Sequence, residues 1–173
     1  MSATLTFKPL DEQLAMPCPP SLALRPRTAA DDDFVFGLFA ELKTAELQAA
    51  QWDAALLKTL LNMQFEAHEQ HLRANFAHAD DALLWLGATP VGRLVVQRAA
   101  SHIHLVEVVV LAAQRNRGLG SAVLAALQHE ARQQQLPLRL NCWLSNTPAL
   151  RWYARLGFAV VGGPPLHPLL EYV

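Results

Sequence analysis

A single α/β domain is predicted for this 173-residue chain, on three observations. The length suits one hydrophobic core. Apolar runs of strand length alternate with segments whose apolar residues recur at helical spacing. No internal repeat or low-complexity tract interrupts that alternation.

Residues 1–21 read as an irregular leader, marked by Pro17, Pro19 and Pro20, and residues 22–173 as the folded domain. Leu22 to Pro26 forms a first strand, after which Thr28 or Asp31 caps a helix. Phe34, Val35, Leu38, Phe39 and Leu42 give that helix its apolar face, and Leu56, Leu57, Leu60, Leu61 and Phe65 give one to a second helix. Ala82–Leu86 and Val91–Gln97 are strands joined through Gly87-Ala88-Thr89-Pro90, a hairpin turn. Ile103–Leu111 is a further strand. The helix opening at Gly118 buries Leu119, Val123, Ala126, Leu127 and Ala131, turns Gln128, His129 and Arg132 outward, and ends before Pro137. A short strand, Leu138–Trp143, precedes a helix with Asn146 or Thr147 as cap, Pro148 in its first turn and Gly157 past its end. Strands near Phe158–Val161 and Leu169–Val173 close the chain.

The junction Arg115-Asn116-Arg117-Gly118-Leu119-Gly120-Ser121 joins a strand to a helix through two glycines. The first amides of a helix have no intrahelical acceptor, and the helix dipole adds partial positive charge there. Gly118 and Gly120 let the backbone turn tightly and let an anion approach, with Arg115 and Arg117 supplying charge nearby. A pyrophosphate-bearing ligand follows. A P-loop is excluded because Gly120 is followed by Ser121-Ala122 in place of a Lys-Ser/Thr pair, and a dinucleotide fingerprint because Val123 stands where its third glycine belongs.

A second pattern, Asn146-Thr147-Pro148-Ala149 through Tyr153 to Gly157-Phe158, follows the short strand. The loop has the form Arg/Gln-x-x-Gly-x-Gly/Ala and the helix the form Asn-x-x-Ala-x-x-x-Tyr-x-x-x-Gly-Phe. Together they resemble the GNAT superfamily of acetyl-CoA-dependent N-acetyltransferases, over roughly residues 22–173 and most closely over 102–161. The resemblance implies a mixed, mostly antiparallel central sheet with helices on both faces. It implies an enzyme that moves the acetyl group of acetyl-CoA directly to a primary amine of a small molecule or a peptide. Acetyl-CoA would be held by Val108, Val109 and Val110 of the strand, by Arg115, Asn116, Arg117, Gly118, Leu119, Gly120 and Ser121 of the loop, and by Asn146, Ala149 and Tyr153 of the next helix. The backbone N–H of Val110 would polarise the thioester carbonyl.

Tyr153 matches the tyrosine that reaches the sulfur, and with an unperturbed pKa of ~10 it is protonated at neutral pH and able to act as general acid. By helical register alone it is a core aromatic. Glu107 and His104 compete as the base. In an unbulged strand they face opposite sides, Glu107 with Leu105 and Val109, His104 with Val106 and Val108; a bulge would change that parity. A carboxylate in an apolar strand needs a partner, solvent or a raised pKa, and pairing with Arg93 is the structural alternative.

Several features point away from other chemistries. His68-Glu69-Gln70-His71 places its histidines three apart, one short of the zinc motif, and reads as a solvated helix face. Cys142 has no histidine beside it in sequence and reads as a buried strand cysteine. With 14 Lys plus Arg against 15 Asp plus Glu, a net charge of −1 gives no field for nucleic acid or an anionic membrane. Two cysteines, Cys18 and Cys142, make no zinc or disulfide framework, and with neither signal peptide nor membrane span the expected location is cytoplasmic. The resemblance implies that the acceptor is selected by the segment from about Phe34 to His78, which carries Trp52, Phe65, Phe76 and His68, and by Gly162 to Pro168. Protein N-terminal or lysine acetylation and non-catalytic acyl-CoA binding are the alternatives, and a homodimer is plausible by resemblance.

Overall fold

A computed structural model describes residues 22–47 and 53–173. The leader, with Cys18, and Trp52 lie outside the described residues. Seven strands, β1 (Leu22–Pro26), β2 (Asp80–Leu86), β3 (Thr89–Arg98), β4 (Ile103–Val110), β5 (Leu138–Asn141), β6 (Phe158–Gly162) and β7 (Leu169–Tyr172), form one sheet in the order β1-β2-β3-β4-β5-β7-β6. Four helices accompany it: α1 (Asp32–Leu47), α2 (Ala54–Asn75), α3 (Leu119–Gln134) and α4 (Thr147–Arg155). Every strand pair is antiparallel except β4 with β5, which α3 connects as a crossover.

Successive residues of a strand face opposite sides, so β3 separates the two layers. Leu94 and Val96 join Val123, Leu124 and Leu127 of α3 and Tyr153 of α4 in one core cluster. Arg93 points the other way and ion-pairs with Glu69 of α2. α2 therefore covers the face opposite α3 and α4, and Phe36 and Phe39 of α1 pack on Phe65 of α2 with centroids 5.3 and 5.5 Å apart.

Three local expectations are corrected. Thr89 and Pro90 belong to β3, leaving Gly87, at φ 63°, and Ala88 as a two-residue hairpin turn. Gln128 is buried, because its Nε2 donates to the Leu156 carbonyl at the end of α4 at 2.7 Å. That bond supplies one of the donors that the carbonyls of a helix end require, and Leu124 is buried as well. The third concerns His68 and Glu69 in α2, which the site explains.

The feature that shapes the site lies in β4. Val95 pairs with Glu107 and Val96 with Leu105, so Val106 is an extra residue opposite no partner. On its other edge β4 pairs with β5 only over Ile103–Leu105. Residues 106–110 therefore present a free edge to the gap between the two strands.

Candidate active site

The loop after β4 builds the first half of the site. Asn116 and Gly118 adopt positive φ, 60° and 80°, and turn the chain into α3. Gly118 is the N-cap, and its carbonyl accepts from the Ala122 amide at 2.9 Å. The amides of Leu119, Gly120 and Ser121 are thus left without intrahelical acceptors. At Gly120 a Cβ would stand 3.1 Å from the Trp152 ring, and Trp152 Nε1 donates to Ser121 Oγ at 3.2 Å. Glycine here lets α4 close against the start of α3.

α4 is set by Asn146, whose Oδ1 accepts from the Ala149 amide at 3.3 Å, with Pro148 in the first turn. Between α3 and α4 lies a cavity of about 630 Å³ lined by Val108, Val110, Arg115, Asn116, Gly118, Leu119, Gly120, Ser121, Asn146 and Ala149, all expected in a cofactor site, together with Gln114, Pro148, Trp152 and Arg155. Arg117 is not among its lining residues and binds Gln114 instead. Arg115 is held at both ends of its guanidinium: Nε donates to the Val110 carbonyl at 3.0 Å, and Nη2 lies 3.2 Å from Glu41 of α1. Glu41, which no sequence pattern singled out, also accepts the Ala112 amide at 2.6 Å.

The orientation of Val110 follows from strand geometry. N–H and C=O of one residue point to the same edge and alternate along the chain. Leu111 donates to Val91 of β3 at 2.9 Å. Val110 and Val108 therefore direct their amides to the opposite edge, into the gap beyond β5, while the backbone of Val109 is taken up by β3.

On the α1 and α2 side a second cavity of about 680 Å³ adjoins the first, sharing Val108, Val110, Arg115 and Asn146. His104, Glu107 and Tyr153 all line it, so the bulge at Val106 brings both candidate bases to one side. Tyr153 belongs to the core as well: its ring packs 4.9 Å from Trp152 and 5.7 Å from Phe158. Burial pushes its phenol well above the ordinary value, which keeps the proton on it at neutral pH. Burial, with help from His102, Arg139 and His167, lowers the pKa of His104, whose ring stacks on Phe76 at 6.0 Å. Cys142 is buried, a free thiol whose pKa burial raises. The segments expected to select the acceptor contribute Phe39, His68, His71, Phe76 and His167 to the walls.

Glu107 is engaged twice. Its Oε2 lies 2.7 Å from His68 Nε2 and its Oε1 3.5 Å from Arg93 Nη1. Arg93 is 3% exposed and gripped by Asp81, at 2.9 and 2.6 Å, and by Glu69 at 2.7 Å. Burial works against its charge, but Asp81, Glu107 and Glu69 more than offset that and hold its pKa above the arginine norm. Glu69, 7% exposed, binds Arg27 as well, at 2.7 Å. Glu69 is thus a buried member of an ion network and His68 a half-buried hydrogen-bond partner of Glu107, not the solvated face the sequence suggested. Their signal was missing because their partners lie just past β1 and on β3 and β4. Among the described residues no cluster suited to a metal ion occurs, and no helix is long and apolar enough to cross a membrane.

A model of the acetyltransferase (GNAT) family matches residues 43–158. No curated protein matches the chain. Among solved structures, it is similar to the PaiA N-acetyltransferase of Thermoplasma acidophilum in complex with coenzyme A, at 12% identity and a TM-score of 0.65, over 87% of this chain and 98% of that one. An acetyltransferase from Thermus thermophilus shows 20% identity and a TM-score of 0.63 over 88% and 97% of the two chains. Ard1 from Thermoplasma volcanium shows 17% and 0.58 over 87% and 96%. At these identities the likeness establishes the fold.

Proposed function

The chain belongs to the acetyltransferase (GNAT) family, acyltransferases that draw their acetyl group from acetyl-CoA, and on that premise we propose that it acetylates a primary amine of a small molecule or a peptide by direct transfer. The observation that carries this reading is the adjoining of two cavities along the free edge of β4, one floored by the glycine turn and the other walled by Tyr153, Glu107 and His104.

The amides of Leu119, Gly120 and Ser121, with Asn116 and Arg155 beside them, hold the pyrophosphate. The pantetheine arm runs along Val108–Val110 and past Asn146 and Ala149. The Val110 N–H polarises the thioester carbonyl, so the amine attacks a carbon made more electrophilic. Tyr153, kept protonated by burial, gives its proton to the departing thiolate. The proton leaving the amine passes to a group on the α2 side, where Glu107 and His104 stand.

Glu107 is the sole carboxylate among the described residues lining the acceptor cavity, and Arg93 and His68 already answer it. That lining favours an acceptor with one amine over a polycation. The free Cys142 thiol is in keeping with a cytoplasmic location. The exposed edge strand β6, with Val160 63% and Val161 50% exposed, favours a homodimer. The test is thiol release from acetyl-CoA across a panel of monoamines, polyamines and peptides: amine-dependent release supports the reading, and release with none of them refutes it.

A further inference from the structure

We propose that His68 is the base that takes the proton from the acceptor amine, with Glu107 as its positioning residue. The inference rests on the acetyl-transfer reading and assigns the step which that reading leaves between β4 and α2.

The carboxylate of Glu107 can only accept hydrogen bonds, so its 2.7 Å contact fixes the proton of a neutral His68 on Nε2 and leaves the lone pair on Nδ1. The ring is steadied by Phe39, with centroids 5.6 Å apart, and it lines the acceptor cavity with its side chain 30% exposed. Glu107 is less accessible, at 19%, and each of its oxygens already faces a cationic or N–H group, Arg93 for Oε1 and His68 for Oε2. Arg93 is itself locked by Asp81 and Glu69. The row Arg93–Glu107–His68 therefore runs from a buried guanidinium and ends at the cavity on an imidazole. His104 lines the same cavity, but no described residue hydrogen-bonds its ring to set a tautomer. The other charged or titratable groups facing this space are Lys43, His71, Arg115, Cys142, Tyr153 and His167.

The step balances as follows. The amine nitrogen forms a bond to the acetyl carbon, and its proton passes to His68 Nδ1. The C–S bond breaks and the thiolate takes the Tyr153 proton. His68 then releases its proton to solvent, and Tyr153 regains one.

Two measurements test this on the full chain. Long-range ¹H–¹⁵N correlation of the wild type should find His68 as the Nε2–H tautomer at neutral pH. In Glu107→Gln, whose side-chain amide can pair with either tautomer, that single form should give way to a mixture. An Nδ1–H tautomer in the wild type overturns the assignment whatever the activity. In turnover, His68→Gln should lower kcat about 100-fold with acetyl-CoA affinity retained. The double variant with Glu107→Gln should fall no further than the worse single variant. His68→Gln within threefold of an active wild type overturns the role of His68 and leaves acetyl transfer standing. A wild type that releases no thiol with any amine overturns acetyl transfer and this assignment with it.

Discussion

Glu107 and His104 face the same side of the sheet although they stand three positions apart on one strand, because Val106 has no opposite number on β3. Without that bulge one of the two would point into the core against α3. Their surroundings differ: Glu107 is tied to His68 and Arg93, whereas His104 stacks on Phe76. Glu107→Gln should therefore lower kcat at least tenfold more than His104→Gln, with acetyl-CoA affinity the same in both. Steady-state kinetics with calorimetric titration would check it, and equal losses would place the two residues on a par.

The strand and helix order, the glycine turn and the Asn146 cap were legible because they rest on local rules: alternation, positive φ and capping. What stayed hidden depends on pairings distant in sequence. The bulge is set by register with β3, and Gln128 turns inward because a carbonyl of α4 meets it. His68 and Glu69 read as surface until Glu107, Arg27 and Arg93 arrive from the sheet side. Cavity-lining residues that a motif carries were legible in the sequence; Glu41 and Trp152, placed by tertiary contact alone, were not.

Gly118→Glu should weaken acetyl-CoA binding at least about 100-fold. At φ 80° a side chain strains the backbone, and nothing stands within 4 Å of its Cβ, so a carboxylate is free to enter the space beside the helix amides. Titration calorimetry reads the loss; unchanged affinity would move the pyrophosphate elsewhere.

Gly120→Ala acts differently. Its new methyl meets Trp152 ring carbons at 3.1 and 3.2 Å and pushes the indole from Ser121. A stability loss of about 1 kcal/mol and acetyl-CoA affinity about threefold weaker are expected, read by denaturant unfolding and titration.

Tyr153→Phe keeps the ring packed on Trp152 and Phe158 and removes a hydroxyl that bonds to no other described residue. Stability and acetyl-CoA affinity should hold, while kcat falls about 10²- to 10⁴-fold. Retained turnover would make Tyr153 a core residue and nothing more.

Glu69 should make the fold acid-sensitive. Burial opposes its charge, but hydrogen bonds from Arg27 and Arg93 prevail and hold its carboxyl below the usual 4.5. The stabilisation is complete above pH 4.5 and lost as pH falls through the lower folded value. Glu69→Gln should cost about 3 kcal/mol at neutral pH and lose less than the wild type on acidification, as urea unfolding at a series of pH values would show.

Acetyl-CoA is proposed to lie from the glycine turn to the free edge of β4. Backbone amide shifts recorded while acetyl-CoA is titrated test this placement most directly. Saturable shifts at Gly118, Leu119, Gly120, Ser121 and Val110, absent with NAD, are the expected result. Shifts confined to another surface, such as the cavity by Arg132 and Tyr172, would contradict it.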